Sequence, residues 1–402
     1  MKYCFLQVSD RLLNPDDKSN PADNYFKAIW PNMADEGYYR PKHFWEIPTW
    51  IAELAYCLND RNNELELFHI DIISRDRHYP ILPEADFYLA SVMDCNKEYF
   101  RVIAKNNPDK EFRFGGYIGY VEFSEYFKGL NNVVWYLDIK EFCKFRGIKY
   151  QYGTDYSLFK GTKCIPRLTL SNGCTNHCRF CTVPDEIKPV SWNRVLQQIM
   201  SFRDLDFELI YINDKTFGQC DNYRWLGICY RIIKKYNPKF QGFTIQTTCH
   251  QIIKFNNRNK DLKPLYVVNV ELGIESFNNS ILNKYSKPQN TSTIDLAVFI
   301  LEKMGVNIIP NIIIGLPGEN LFTYWATLDW LNDNKQNFLM LNITNFVPYV
   351  GNEVSTVGQD LNENSMKCSY HTPLEAAAVR IFTESLFDIG MEIIEATKAR
   401  SI

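Results

Sequence analysis

Hydrophobic and polar positions along the first third of the chain follow two alternating rhythms. Residues 2–10 (KYCFLQVSD), 65–73 (LELFHIDII), 85–92 (ADFYLASV) and 111–119 (EFRFGGYIG) are short apolar or alternating runs that predict strands. Between them, 47–61 (IPTWIAELAYCLNDR) and 98–107 (EYFRVIAKNN) carry apolar residues at helical spacing. Strands alternating with helices predict an open α/β sheet, because parallel strands need helical crossovers. The polar stretch 14–44 reads as a loop with short helices, and loops of that length are often functional or mobile.

A turn-rich, polar segment at 151–163 reads as a linker, and beyond it the alternation becomes more regular. Strands are predicted at 165–171, 207–214, 242–248, 266–276, 306–319 and 338–348, with helices at 192–205, 223–236, 291–305 and 324–333. Trp192, Val195, Leu196, Ile199 and Met200 mark one apolar helix face, and Gly305 is placed to end another helix. Six strands with intervening helices predict a full or partial parallel barrel, whose chemistry collects at the carboxyl ends of its strands. A last helix opens at Thr372, Pro373 and Glu375, a capping box with a first-turn proline. The expected division is an α/β, Rossmann-like unit over 1–150, a linker over 151–163, a partial (β/α)6 TIM-type barrel over 164–350, and a helical extension over 351–402.

Composition narrows this picture only slightly. Of 402 residues, 44 are basic and 47 acidic, so the net charge of -3 gives no global reason to expect a nucleic acid or other polyanion. No run approaches the roughly 18 apolar residues of a membrane span, and 1–6 lacks a signal-peptide pattern; the expectation is a soluble, cytoplasmic protein without a membrane partner. Twelve cysteines in a chain expected to carry no export signal do not read as a disulfide framework. Nine are scattered, at Cys4, Cys57, Cys95, Cys143, Cys164, Cys220, Cys229, Cys249 and Cys368, and read as small buried hydrophobes.

The other three, Cys174, Cys178 and Cys181, lie inside SNGCTNHCRFCTVP (171–184). Thiolates this close select zinc or an iron-sulfur cluster. Structural zinc needs a closed set of four, and no second Cys/His pair follows at zinc-finger spacing, while His177 is confined between two of the thiols. A four-iron cluster held by three cysteines keeps one iron open for chemistry.

C-x3-C-x2-C at the end of a first barrel strand, with Phe180 before the third cysteine, resembles the radical S-adenosylmethionine (radical SAM) superfamily. Three further segments resemble that family's strand-end motifs: ELIYINDKTF (208–217), VELGIESFNNSIL (270–282) and PNIIIGLPGEN (310–320). The resemblance implies a 4Fe-4S cluster on Cys174, Cys178 and Cys181. It implies S-adenosyl-L-methionine near Phe180, Asn213, Asp214, Gln246, Glu275, Ser276, Gly315 and Leu316. It also implies cleavage of that cofactor to a 5'-deoxyadenosyl radical, fed by a reductant such as flavodoxin or ferredoxin. Thr248 ends the third strand, where the family often has arginine, and Asn213 is an amide where the family has an acid.

The first 150 residues resemble the cobalamin-binding domain that precedes many radical SAM barrels, through the element order, the Gly115-Gly116 pair and DYSLF before the barrel. Cobalamin, and methylation of an unactivated carbon, follow as what that resemblance implies. The chain departs from it in having no D-x-H-x-x-G to supply a histidine to cobalt, and VVWYLDIKEFCKF in place of an acidic GEGE-like segment. Alternatives are a cobalamin-free cyclisation, oxidation or epimerisation; a methylthiotransferase with a second cluster on Cys4, Cys57 and Cys95; and a metal-binding protein without turnover. Peptide, nucleoside and small natural product all remain open as substrates.

Overall fold

The computed structural model describes residues 1–8, 47–59, 62–70, 81–93, 96–116, 120–161, 164–258, 260–346 and 373–400. The stretch 14–44, Cys95, Cys368, Thr372 with its capping box and most of 345–365 lie outside the described residues.

The first sheet is built from β1 (Lys2–Val8), α1 (Thr49–Leu58), β2 (Glu64–Ile70), β3 (Phe87–Val92), α2 (Lys97–Asn106), β4 (Phe112–Gly116), α3 (Tyr120–Tyr126), β5 (Val133–Trp135) and α4 (Ile139–Phe145). Its strands are all parallel in the order β2-β1-β3-β4-β5, so the direction of winding reverses between β1 and β3. Open α/β sheets bind ligands at such a switch point, outside the carboxyl ends of the strands. Alternation along β1 sends Cys4 and Leu6 to one face, against Phe100, Ile103 and Ala104 of α2. Tyr3 and Phe5 go to the other face, against Ile51, Leu54 and Ala55 of α1 and Phe142 of α4. The pattern left β5 and its flanking helices α3 and α4 unread, because three strand residues are too few for a period.

The second sheet comprises β6 (Arg167–Leu168), β9 (Leu209–Ile212), β10 (Gly242–Thr247), β11 (Val267–Glu275), β12 (Asn307–Ile314) and β13 (Asn342–Asn345), all parallel and in chain order. A short antiparallel hairpin, β7 (Ser171–Asn172) with β8 (Lys188–Pro189), follows β6. The helices are α5 (Trp192–Ser201), α6 (Leu226–Tyr236), α7 (Cys249–Asn257), α8 (Asn279–Lys284), α9 (Thr291–Met304), α10 (Leu321–Asn334) and α11 (Pro373–Arg400). This is a partial (β/α)6 barrel with a helical extension, in which α11 packs on α10 and Phe382 stacks on Tyr324. Outward side chains such as Ile210, Ile245, Leu272 and Ile312 join one apolar cluster with the helices, and that cluster is continuous with the α1 and α4 face of the first sheet.

The strand expected at 165–171 joins the barrel sheet as β6, paired with β9 over Arg167–Leu168. The amides of Leu170 and Ser171 are captured by the Asp214 carboxylate, and that of Thr169 by Gln198, so they leave the ladder.

Candidate functional site

The three clustered cysteines sit in the loop between β7 and β8, at the carboxyl end of the first barrel strand. The base of that loop is held by the Cys174 amide donating to Pro184 O at 2.9 Å, and by buried Asn222, whose side chain donates to Leu170 O and Val190 O. Gly173 has φ +85, and a Cβ there would run into the Glu186 carbonyl. The far part of the loop is tied to α8 by the Arg179 amide, which donates to Tyr285 O at 3.0 Å.

Cys174 is buried, Cys178 half-buried and Cys181 exposed. Polar groups approach two of the sulfurs: Thr216 Oγ1 at 3.3 Å and Gln219 Nε2 at 3.4 Å from Cys174, and the Val183 amide at 3.4 Å from Cys181. Burial pushes the Cys178 thiol up to about 11, while nearby Lys287 pulls it down. Among the described residues, no three Cys, His, Asp or Glu side chains are already arranged to hold an ion. Drawing the three thiols onto one cluster takes side-chain rearrangement within the loop. His177 turns outward, 75% exposed, and faces Asp185 at 3.9 Å.

Opposite the loop, β11 ends in an irregularity between Gly273 and Glu275. Glu275 has φ +66, a left-handed backbone that a non-glycine residue adopts at a cost and that recurs at functional sites. Its Oε1 accepts from Lys287 Nζ at 2.6 Å, with both side chains largely buried. Gly273 leaves the space for this pair, since a Cβ there would lie 2.9 Å from both charged atoms. Gln289 Nε2 donates to the Gly273 and Ile274 carbonyls at the irregularity. Burial works to lower the Lys287 pKa, but the charges of Glu275 and Cys178 outweigh it, so the ammonium is held charged. Lys287 also lies 6.0 Å from the centre of the Phe180 ring, beside the cysteine loop.

The end of β12 closes the same region. Gly315 and Gly318 take positive φ, and Leu316 packs with Tyr285, Ile281, Phe346 and Phe180. Pro317 O accepts from the hydroxyl of Tyr285 and from Lys284 Nζ. Glu319 turns back to accept from the Leu316 amide, and burial pushes its carboxyl up to about 8. Fully buried Ser276 lies beside that carboxyl.

Phe180, Glu275, Ser276, Gly315 and Leu316 thus gather with the cysteine loop. Asp214 is placed differently: both its oxygens are engaged by Leu170 N, Ser171 N and Ser171 Oγ, so it fastens the loop's root. Asn213 accepts from Arg167 at 2.9 Å. Gln246 lies deeper on the concave face, where the Tyr211 hydroxyl reaches both it and Glu271. Thr248 caps α7 through the Gln251 amide. Sequence reasoning missed Lys287, Gln219 and Thr216, whose neighbours carry no distinguishing spacing. It also missed the concave face as a polar surface: Arg167 packs over Tyr211 at 4.7 Å, and Asn342 bonds Asn311. Packed barrels fill this position with branched aliphatics.

In the first sheet, Cys4 and Cys57 fall on opposite faces, so they cannot share a cluster. Gly116 has φ +131, and a Cβ would strike the Val92 backbone. That glycine is therefore required by its neighbouring strand.

Residues 168–331 match the protein-family model described as Radical SAM superfamily. The fold is similar to the structure of the cobalamin-dependent S-adenosylmethionine radical enzyme OxsB with aqua-cobalamin and S-adenosylmethionine bound, with a TM-score of 0.56 at 14% identity. That match covers 98% of this chain, which spans only 56% of the OxsB chain. It is also similar to the radical S-adenosylmethionine methyltransferase TsrM from Kitasatospora setae, with tryptophan substrate and a cofactor analogue bound. There the TM-score is 0.53 at 12% identity, covering 85% of this chain and 72% of that one. No curated protein matches the chain.

Proposed function

We propose that this chain, which carries a radical SAM domain over residues 168–331, methylates an unactivated carbon with the help of cobalamin. The observation that carries the radical part is the three-cysteine loop lying beside the buried Lys287–Glu275 pair at the carboxyl end of a parallel half-barrel. The cobalamin part rests on the five-stranded sheet with its switch point between β1 and β3, a fold similar to proteins whose structures hold cobalamin.

When bound, a 4Fe-4S cluster and S-adenosylmethionine supply a 5'-deoxyadenosyl radical, and cobalamin supplies the methyl group. The chain's own residues supply position and environment. Cys174, Cys178 and Cys181 would hold the cluster, with Thr216 and Gln219 beside the Cys174 sulfur and the Val183 amide beside that of Cys181. Lys287 presents a buried cation beside the cluster loop, suited to the cofactor's carboxylate, and Glu275 keeps that cation in place. Ser276 lies fully buried beside the Glu319 carboxyl, and the Gly315–Leu316 turn gives an apolar wall with Phe180. The polar concave face formed by Arg167, Tyr211, Gln246 and Glu271 is where a polar substrate would lie. A flavodoxin or ferredoxin is the proposed electron donor, in the cytoplasm.

Anaerobic reconstitution with iron, sulfide, dithionite and S-adenosylmethionine should yield 5'-deoxyadenosine or methylated product above a Cys174→Ala/Cys178→Ala/Cys181→Ala control. Neither product above that control sinks the enzyme reading. Protein from cells grown with hydroxocobalamin should carry corrinoid absorbance. A chain with an intact cluster and no corrinoid would leave radical chemistry without methyl transfer from cobalamin.

A further inference from the structure

The turn that carries Lys287 is joined to the irregular end of β11 by the side chain of Gln289. That residue is 7% exposed, and its Nε2 donates to Gly273 O at 2.9 Å and to Ile274 O at 3.1 Å. Both partners are carbonyls, so the end of the amide aimed at them is the nitrogen. Its Oε1 is left buried without a partner among the described residues. A leftover buried acceptor costs stability, so the donor end is where this residue is used. On the main chain the Gln289 amide donates to Lys287 O at 2.8 Å across Pro288, and the Lys287 amide donates to Leu282 O at 2.9 Å. The next residue, Asn290, caps the 14-residue helix α9 through a capping box. Gln289 is therefore anchored at the start of a long helix and grips the two carbonyls just ahead of Glu275.

We propose that Gln289 is a positioning residue, a clasp that fixes where the Lys287 ammonium is presented to the carboxylate of S-adenosylmethionine; this role rests on the radical SAM reading of the site. The register of β11 against β12 shifts between Gly273 and Glu275, and Glu275 takes φ +66. A non-glycine residue keeps such a backbone only where its surroundings over-determine it. Here the determinants are Gln289 on the Gly273 and Ile274 carbonyls and the Ser276 amide, which donates to the same Ile274 O at 2.9 Å. The left-handed turn aims Glu275 at Lys287, 2.6 Å away, while Lys287 sits on the same short connection as Gln289. One amide thus ties together the backbones of both members of the ion pair. Loosening it shifts the ammonium relative to the cysteine loop, so Gln289 acts through Lys287 and Glu275.

The test is a double-mutant cycle on the cluster-loaded full chain, read as S-adenosylmethionine affinity by equilibrium dialysis. Gln289→Met keeps nearly the same length and volume but has no donor, and it should weaken binding at least about fivefold with iron per chain unchanged. In the Lys287→Met/Glu275→Gln background the same substitution should change binding less than about twofold, because the pair it acts through is already gone. An equal loss in both backgrounds makes Gln289 a structural residue only and overturns the proposal, as does unchanged affinity in the single variant. Should Gln289→Met fail to fold, Gln289→Glu carries the same cycle: its carboxyl donates one bond when protonated, so its affinity should fall more steeply than that of the unaltered chain between pH 6 and pH 8. If the unaltered chain binds no S-adenosylmethionine, the radical SAM reading fails by itself, and acetylation of the lysines, mapped by mass, decides on the clasp. Lys287, whose side chain is 6% exposed, should then react at least about fivefold faster in the Gln289 variant while Lys110 keeps its rate. An unchanged Lys287 rate overturns the clasp.

Discussion

Lys287 and Glu275 stand 2.6 Å apart where little water reaches them, so each is costly to leave alone. Lys287→Met should cost about 3–5 kcal/mol, the usual penalty for stranding one charge of a buried pair, readable as a lowered urea midpoint. A Lys287→Met/Glu275→Gln double variant should recover most of that stability and still bind S-adenosylmethionine at least about tenfold more weakly by equilibrium dialysis, one lost charge-assisted contact being worth about 1.5–3 kcal/mol. Glu319 gives a pH signature. Burial raises its pKa from 4.5 to about 8, so the fold holds its proton more tightly than the unfolded chain does. The stability from that proton is complete below about pH 4.5 and is lost as pH rises through about 8. Glu319→Gln, which cannot ionise, should flatten the decline in urea midpoint between pH 5 and pH 8.5 relative to the unaltered chain. Of these residues Glu275 was legible in the GIES segment. Lys287 was not, because nothing along the chain marks a lysine twelve residues later as its partner.

At the scale of elements, one carboxylate decides where the first barrel strand stops. Asp214 takes the amides of Leu170 and Ser171 and the Ser171 hydroxyl, which turns the chain out of the sheet and into the cysteine hairpin. Asp214→Ala leaves three buried donors without an acceptor, at about 1–3 kcal/mol each before relaxation. The expected result is a marginal fold and cluster retention at least several-fold lower, measured as iron per chain after desalting. Asp214→Asn, which keeps an acceptor oxygen, should fall between. The hydrophobic pattern predicted a strand through 171 because Leu168 and Leu170 alternate correctly, and both are indeed buried. Alternation reports which face a residue occupies, not whether its amide finds a neighbouring strand. Gly116→Ala should likewise destabilise the first sheet through its clash with Val92 and its left-handed φ, lowering the thermal midpoint without altering the barrel's metal loop.

Across the whole molecule, the inner face of the first sheet and the outer layer of the barrel belong to one apolar cluster, reaching from Tyr3 and Phe5 through Tyr156 and Phe159 to Phe202 and Phe207. The two sheets should therefore unfold together: circular dichroism at 222 nm and tryptophan fluorescence, with Trp50 and Trp135 in the first sheet and Trp192, Trp225 and Trp330 in the barrel, should give coincident urea transitions. Two separated transitions would mean that this shared core contributes little. Among the described residues no helix is long and apolar enough to cross a membrane. The sequence by itself determined the alternation of strands and helices, the thiol triad and the order of the strand-end motifs, since all of these are local: a period of two or 3.6, or a spacing within one loop. Only the tertiary structure decided that Asp214 fastens a loop and that Lys287 meets Glu275. It alone turned Tyr211, Gln246 and Glu271 to one concave face. Each of those contacts joins residues that the chain separates and that only the curl and stacking of its sheets bring within reach.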